Sequence, residues 1–205
     1  MKSSAKNPKD ARVKRTRDRL GDALIQLIEQ KPFEQITVQE VLDRAGVSRA
    51  TFYTHYTNKE DLFLEDVNDF WEYMATMLER TGESSERVAA VRELFAHVSG
   101  AQQLRAALLA AGKVHDVLEL GREHFARGIE QRLTRLQRPE GATVQRRATL
   151  AQMFSGALFS LLDRWLTGAM KDTPEELDDF FHEMVWAVCG RRPHSSQRVA
   201  PEISG

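Results

Sequence analysis

The distribution of proline constrains the fold of this chain more than any other feature. The 205-residue sequence has six prolines, and none of them lies within residues 33–138. Proline interrupts helices and central strands, so a long proline-free stretch permits continuous secondary structure. No segment alternates apolar and polar residues at the two-residue period of a strand, whereas apolar stripes at helical spacing recur throughout. The sequence therefore predicts an all-α fold of about nine helices.

Capping signals indicate where several of these helices begin. Asn7-Pro8 combines an N-cap with a proline at the first helical position. Thr37–Glu40 and Thr173–Glu176 both match the capping box. A sixth helix is predicted within residues 101–112, where Leu104, Leu108 and Ala111 precede Gly112. The polar segment Arg191–Gly205 contains two prolines and is predicted to be disordered.

Charge is sorted along the chain. The formal net charge is only -1, but residues 1–59 carry a net charge of +5 and residues 60–205 a net charge of -6. A basic end on an acidic body favours a polyanionic partner for the N-terminal part alone. A solvated basic arm that aids solubility is the alternative that charge by itself leaves open.

Several classes of protein are disfavoured by what the sequence lacks. No apolar run is longer than that of Ala106–Ala111, which is far too short to cross a membrane, and no hydrophobic stretch of signal-peptide length follows the basic N-terminus. The single cysteine, Cys189, cannot form an intrachain disulfide and is expected to be inert. We therefore expect a cytoplasmic protein with no membrane partner.

Catalytic signatures are missing as well. The sequence shows no nucleophile–base arrangement, no glycine-rich phosphate loop and no metal-ligand spacing among its six histidines and one cysteine. We expect no enzymatic activity, no cofactor and no metal site.

The most informative stretch is residues 36–59, ITVQEVLDRAGVSRATFYTHYTNK. Two short helices are predicted to meet in it at helix-turn-helix spacing. The turn needs a small residue where the helices cross, a glycine able to adopt positive φ, and an aliphatic side chain behind it. Ala45, Gly46 and Val47 supply these in order.

The second of these helices, beginning after Ser48, is predicted to have two different faces. Phe52 and Tyr56 lie four residues apart and can pack inward. The residues left to form or flank the outward face are Arg49, Ala50, Thr51, Tyr53, Thr54 and His55. Hydroxyls, a phenol and basic groups are suited to holding phosphate oxygens and reaching base edges in a major groove. An ordinary helical hairpin with a polar outer face is the alternative.

Over roughly residues 10–65 the chain resembles the TetR-type bacterial transcriptional regulators. The segments that carry the resemblance are Ile36–Val38, Ala45–Ser48, Thr51–Tyr56 and Asn58–Phe63. The resemblance implies a homodimer of all-helical subunits. Each subunit is then expected to have an N-terminal three-helix DNA-binding domain, a fourth helix as connector, and a C-terminal domain for dimerisation and often effector binding.

The resemblance also divides the chain. We expect a DNA-binding domain with a basic arm over residues 1–58, a helical dimerisation and effector domain over residues 59–190, and a disordered tail over residues 191–205. The segments that look like one C-terminal type of the family are Ser155–Phe159, Arg164–Leu166 and Thr173–Glu176.

Site residues follow from the same resemblance. It implies phosphate contacts at Thr37, Ser48, Thr51, Tyr53, His55 and Lys59, with further phosphate or minor-groove contacts at Lys14 and Arg15. It assigns base reading to Gln39, Arg49, Ala50 and Thr54. Arginine can take guanine O6 and N7, and glutamine can take adenine N6 and N7.

The candidate residues of the second domain are less specific. The proposed dimer contacts are Leu158, Leu162, Phe181, Met184 and Val185, and the proposed effector contacts are Trp71, Met74, Phe95, His124 and Phe154. Apolar and aromatic residues on helical stripes also form ordinary intrachain cores, and that alternative stays open for both sets.

The sequence thus predicts a homodimeric regulator that reads a pseudo-palindromic double-stranded DNA operator, a repressor released by a small apolar or aromatic effector. The alternative is a regulator of the same type that answers to a protein partner or activates transcription.

Overall fold

The computed structural model describes residues 8–100 and 113–190, and these residues form eight α-helices and one 3₁₀ turn, Phe33–Gln35, without any strand. The helices are α1 (Pro8–Ile28), α2 (Val38–Ala45), α3 (Arg49–Tyr53), α4 (Lys59–Arg80), α5 (Val91–Gly100), α6 (Val114–Arg135), α7 (Val144–Leu166) and α8 (Pro174–Cys189). The all-α prediction is confirmed. The predicted sixth helix, the Asn7 cap and the tail fall outside the described residues.

The first three helices pack around one apolar cluster. Leu20 and Leu24 of α1 are completely buried, as are Val41 of α2 and Phe52 of α3. Helix α1 packs against both α2 and α4, so it is shared between the N-terminal bundle and the rest of the subunit. Burying a large apolar side chain contributes about 1.5–3 kcal/mol, which makes α1 a principal source of stability for both parts.

Three aromatic rings hold the C-terminal part together. The ring of Trp71 in α4 lies 5.3 Å from Phe159 in α7 and 6.1 Å from Phe125 in α6, between ring centroids, and Phe125 lies 5.5 Å from Phe159. Tilted and edge-on pairs at these distances are favourable beyond the area that they bury. Helix α4 is therefore fixed to both long helices of the C-terminal part, α6 and α7.

A polar cluster holds α8 against α5. Arg87 donates to Glu93 at 2.9 Å and to Asp178 at 2.6 Å, and His182 accepts from the Val88 N–H at 3.0 Å. Burial alone would raise the pKa of Asp178, but hydrogen bonds from His182 and Arg87 lower it to about 2. The cluster keeps the chain before α5 attached to the last helix.

The predicted helix boundaries hold closely. Capping boxes at Thr37 and Thr173 are both present, and Ser48, Asn58 and Thr143 each accept a backbone N–H as N-caps. Helix α3 ends at Tyr53 and is only five residues long. No helix in the described ranges is both long enough and apolar enough to span a bilayer.

Helix α6 is continuous through Gly121 and Gly128, although glycine in a helix interior is less favourable than alanine. A methyl group at Gly121 would lie 2.6 Å from the Phe159 ring. A methyl group at Gly128 would lie 2.5 Å from the Ala75 carbonyl oxygen of α4. The glycines therefore permit close helix packing rather than ending the helix.

We predict that Gly128→Ala destabilises the protein by about 1–3 kcal/mol, because the added methyl group meets backbone that cannot rotate away. In an unobstructed helix the same change would stabilise by up to about 1 kcal/mol, so the sign is diagnostic. Urea unfolding followed by circular dichroism measures the effect. Thr134→Ala, at an exposed position of the same helix, serves as the control, and a raised unfolding midpoint for Gly128→Ala would contradict the packing argument.

Candidate nucleic-acid interface and effector cavity

The turn between α2 and α3 has the predicted geometry. Gly46 is left-handed, with φ 61° and ψ 41°, and its N–H donates to the Leu42 carbonyl. The guanidinium of Arg19 in α1 donates to the Ala45 carbonyl, and to that of Gly46 at 3.1 Å. A cation on carbonyls at a helix C-terminus is favourable both as a hydrogen bond and toward the helix dipole. Helix α1 therefore fixes the turn, a role that sequence reasoning missed.

Helix α3 has the predicted division into two faces. Phe52 and Tyr56 are buried, whereas Arg49, Ala50, Tyr53 and Thr54 are exposed and Thr51 and His55 are half-buried. The Ser48 hydroxyl accepts the Thr51 N–H at 3.2 Å and fixes the start of the helix. The polar side chains thus occupy one solvent-facing surface.

Two side chains predicted to read bases meet across the turn. Arg49 in α3 donates to Gln39 Oε1 in α2 at 3.3 Å, and Gln39 Nε2 donates to Asp43 Oδ1 at 2.8 Å. The first bond is long and exposed, so it constrains the two side chains only loosely. Gln39 and Arg49 form one continuous polar surface. The contribution of Asp43 was not anticipated.

At the start of α2, the Thr37 hydroxyl is used inside the protein. Thr37 Oγ1 and the Thr37 N–H both bond Glu40 Oε2 at 2.9 Å, and Lys31 Nζ donates to Glu40 Oε1 at 2.5 Å. Hydrogen bonds from Lys31 and Thr37 lower the pKa of Glu40 to about 2. The first N–H groups of α2, at Val38 and Gln39, have no partner within the helix and remain available to an anion.

Lys59 is bound within the protein. Its ammonium donates to the carbonyls of Phe33 and Ile36 at 2.7 Å each and to that of Glu34 at 3.2 Å. The nitrogen also lies 4.7 Å from the centroid of the Phe33 ring. An ammonium has three N–H donors, and three acceptors already surround this one. Lys59 therefore holds the 3₁₀ turn to the start of α4, and in this arrangement its ammonium has no free donor for the expected contact with phosphate.

Three basic residues of α1 lie on its exposed surface. Lys14 and Arg15 are exposed, as is Arg12 one helical turn before Arg15 and Thr16. Arg15 makes only a 3.4 Å bond to the Ala11 carbonyl of its own helix. Their charges are therefore available to a polyanion.

A cavity of about 250 Å³ lies where α1 and α4 meet the second domain. Its walls are predominantly apolar, and the residues that line it are Ile25, Phe63, Asp66, Val67, Phe70, Trp71, His97, Val98, Val114, Val117, Leu118, Leu162 and Leu166. Trp71 is the one predicted effector residue among them. Asp66 is the one carboxylate, and no sequence pattern distinguished it from the other acidic residues of α4.

The other predicted effector residues lie elsewhere. Met74, Phe95 and Phe154 are buried in the core and do not line this cavity. His124 bonds Asn68 Oδ1 at 2.8 Å and lines a separate, more polar cavity with Arg127. The structure thus favours the core interpretation for Met74, Phe95 and Phe154.

Comparisons with known proteins agree with this geometry. The family described as "Bacterial regulatory proteins, tetR family" matches residues 20–65, from the middle of α1 into α4. An uncharacterized HTH-type transcriptional regulator of Bacillus subtilis (strain 168) is 41% identical over 54 residues, which are 26% of this chain and 14% of that protein. The fatty acid metabolism regulator protein of the same organism is 31% identical over 77 residues, 38% of each chain. These alignments thus span well under half of either relative.

Solved structures extend the likeness to most of the chain. The TetR transcriptional regulator from Streptococcus agalactiae 2603V superposes with a TM-score of 0.54 at 26% identity, covering 86% of this chain and 97% of that one. The dihydroxyacetone kinase operon activator DhaS superposes with a TM-score of 0.62 at 14% identity, covering 85% and 96%, which shows a shared fold.

The chain belongs to the TetR family. Its helix-turn-helix is formed by α2 and α3, and α4 follows directly in the chain.

In this TetR-family subunit, four of the predicted dimer residues are part of its own core. Leu158, Leu162, Phe181 and Val185 are completely buried within one subunit. A side chain without exposed surface cannot contact a second copy, so the structure favours the intrachain alternative for these four. Met184 is only partly buried.

Sequence reasoning missed the apolar side chains that α7 and α8 do expose. Met153 of α7 is 64% exposed, and Phe180 and Val188 of α8 are 58% and 52% exposed. Phe180 and Phe181 are neighbours in one apolar run, and helical geometry directs them to different sides. Placing each residue of α8 at its angle around the helix could have distinguished buried Phe181 from exposed Phe180.

We predict that Lys59→Met lowers the stability of this TetR-family protein by about 1–2 kcal/mol, since three carbonyls lose their donor while the apolar stem is kept. Lys14→Met, at an exposed position, should leave the urea unfolding midpoint unchanged. An unaltered midpoint for Lys59→Met together with weakened binding to every duplex would instead show that the ammonium contacts phosphate.

Proposed function

We propose that this chain is a homodimeric, sequence-specific DNA-binding repressor that a small apolar or aromatic effector releases from its operator. The observation that carries the proposal is the exposed polar surface of α3, continuous with Gln39 of α2 and supported from behind by buried Phe52 and Tyr56. A short helix held in this way can enter a major groove with its side chains directed at base edges.

Base reading is assigned to Arg49 and Gln39, with Ala50 and Thr54 beside them. Arg49 has the only guanidinium on α3, and its weak bond to Gln39 can be exchanged for a bidentate bond to guanine. Ala50 offers a methyl-sized surface for apolar contact with thymine. Thr54 donates to the Thr51 carbonyl at 2.5 Å, which keeps its methyl group exposed as well.

Phosphate contacts are proposed for the flanks of that surface. Tyr53 is 51% exposed and has a phenolic hydroxyl beyond its contact with Phe52. Ser48 and Thr51 lie at the start of α3, and His55 follows its C-terminal end. At α2 the amides of Val38 and Gln39 replace the Thr37 hydroxyl as the proposed donors, and Lys14 and Arg15 add positive charge from α1.

Dimerisation is proposed through the exposed side of α7 and α8. The residues on it are Met153, Gly156, Ala157, Leu161, Phe180, Met184, Ala187 and Val188. Pairing two copies would make a four-helix bundle and cover large apolar groups that water now reaches. A two-fold axis between the copies would set the two α3 helices about 34–36 Å apart, over successive major grooves of a pseudo-palindromic site.

The proposed activities are assigned to different parts of the chain. Residues 1–58 are proposed to bind DNA in the cytoplasm, where the bacterial chromosome lies, and residues 59–190 to dimerise and hold the effector. The cavity supports an effector because it is apolar and touches both α1 and α4. A ligand that binds one arrangement of α1 and α4 more tightly than another increases the population of that arrangement. The distance between the two α3 helices of the proposed dimer changes with it.

We predict that Arg49→Ala relaxes base preference at one position of each half-site and costs about 1–3 kcal/mol per lost contact with the preferred sequence. Selection from a random duplex library followed by fluorescence anisotropy measures both effects. Tyr53→Phe is the matched variant, and should weaken binding to all duplexes alike without changing the selected sequence. Identical specificity profiles for wild type and Arg49→Ala would contradict the assignment.

We predict that Phe180→Arg converts the dimer to a monomer, because a buried unpaired charge would face the same charge across the two-fold axis. Light scattering after size exclusion gives the mass directly. Leu64→Arg changes a side chain of α4 that is 51% exposed, similar to Phe180, and should remain dimeric. A dimer that survives Phe180→Arg would place the interface elsewhere.

A further inference from the structure

The cavity has an unusual composition for a space between helices, because one wall contains a carboxylate. Asp66 lies on α4 among Phe63, Val67 and Phe70, all of which line the cavity. The opposite wall consists of valines and leucines from α5, α6 and α7, together with His97. A carboxylate that borders an otherwise apolar space is a specific recognition element for a ligand.

Asp66 has no cationic partner in the described part of the chain. A Cβ atom built at Gly21 of α1 would overlap Asp66 Oδ1, so the carboxylate lies directly against α1 where residue 21 has no side chain. The cation that could have reached it, Arg17, is bound to Glu65 and lies 3.5 Å from Asp69. The charge of Asp66 is therefore left uncompensated.

The surroundings of Asp66 disfavour its ionised form. Burial raises its pKa to about 6, with the carboxylates of Asp22, Asp69 and Asp18 adding to the effect. A cation placed in the cavity would act in the opposite direction and favour ionisation. The protein thus holds a group that gains more from a positive ligand than an exposed aspartate would.

The other residues that line the cavity are suited to the apolar part of a positively charged ligand. His97 stacks on Phe70 with ring centroids 4.8 Å apart, and burial lowers the pKa of its imidazole, so it adds no positive charge at neutral pH. The aromatic rings of Phe63, Phe70 and Trp71 offer faces to a cation as well as apolar surface.

We infer that this cavity binds a hydrophobic primary amine, with its ammonium paired to Asp66 and its apolar body enclosed by Trp71, Leu118 and Leu162. The binding itself does not depend on the proposed function. Its regulatory meaning does: Asp66 on α4 touches Gly21 on α1, so an ammonium drawn to Asp66 acts directly on the contact between the connector and the DNA-binding domain.

The test uses three probes with one carbon skeleton: 4-phenylbutylamine, 4-phenylbutanol and 4-phenylbutyrate. Isothermal titration calorimetry with the full-length protein at pH 7.5 measures each dissociation constant without DNA. We expect the amine to bind about tenfold or more tightly than the alcohol, as a charge-assisted hydrogen bond in a partly buried site provides. The carboxylate should bind weakest, because it faces Asp66 with the same charge.

Two variants assign the effect to one side chain. Asp66→Asn should bring the amine down to the affinity of the alcohol while alcohol binding persists, which also shows that the variant is folded. Asp69→Asn, one turn away on the same helix and exposed, should keep the preference for the amine.

The pH dependence provides an independent readout. Groups facing Asp66 are Asp18 and Asp22 of α1, Asp69 of α4 and His97 of α5. The amine stays protonated throughout, so its affinity should fall toward that of the alcohol below about pH 6 as Asp66 takes up a proton, and the alcohol should show no such change. Asp66→Asn should abolish the difference.

Each other outcome overturns the inference. Equal affinity for amine and alcohol in the wild type would show a purely apolar site, tightest binding of the carboxylate would assign recognition to His97, and no binding of any probe would show that the cavity takes no such ligand. Failure to bind DNA would overturn the proposed function alone, since these titrations contain none.

Discussion

The position of α1 between the helix-turn-helix and α4 is the constraint on which the rest of the structure depends. Its buried residues Leu20 and Leu24 belong to the core of the reading domain, while Ile25 lines the cavity and Gly21 touches Asp66. On its other side, Arg19 holds the carbonyls of the turn between α2 and α3. One helix therefore transmits any movement of α4 to the surface that faces DNA, with no flexible linker between the two.

The contact of Asp66 with α1 lowers the stability of the folded protein relative to an apolar contact at the same place. An aspartate that is partly buried beside other carboxylates is less favourable there than an apolar residue of the same size. Natural sequences tolerate such a group mainly where function requires it. By contrast, the buried charges of the second domain are paired: Arg87 with Glu93 and Asp178, and Arg132 with the carbonyls of Arg87, Glu83 and Ser85. Asp66 has no such partner among the described residues, which supports the proposed ligand site.

The local features of the fold could be predicted from sequence because they depend on residues close together in the chain. Capping boxes, the glycine of the turn and the inward pair Phe52 and Tyr56 each involve a few neighbouring positions, and all were predicted correctly. The errors concern contacts between distant segments. Lys59 bonds carbonyls more than twenty residues away, and Gly128 leaves room for the backbone of α4. The raised pKa of Asp66 depends in part on the carboxylates of Asp18 and Asp22 in α1. A periodic pattern predicts which residues are buried, but it does not predict which helix packs against them.

The predicted dimer residues show the same limit most clearly. An α-helix packed on one side has a single apolar stripe, whereas α8 has apolar residues around more than half of its circumference. An apolar surface this wide indicates two contacts, one within the chain and one with another molecule. It does not indicate which apolar residue belongs to which contact. The structure separates them by exposure: Phe181 and Val185 face α7 and the core, while Phe180 and Val188 face water. Because these two sets alternate along one helix, the surface proposed to join two subunits is supported from behind by the core of each. In the proposed dimer, a change that loosens that core around Trp71 and the cavity would therefore also move the two subunits relative to each other. This would give the proposed effector a second way to change the distance between the two α3 helices.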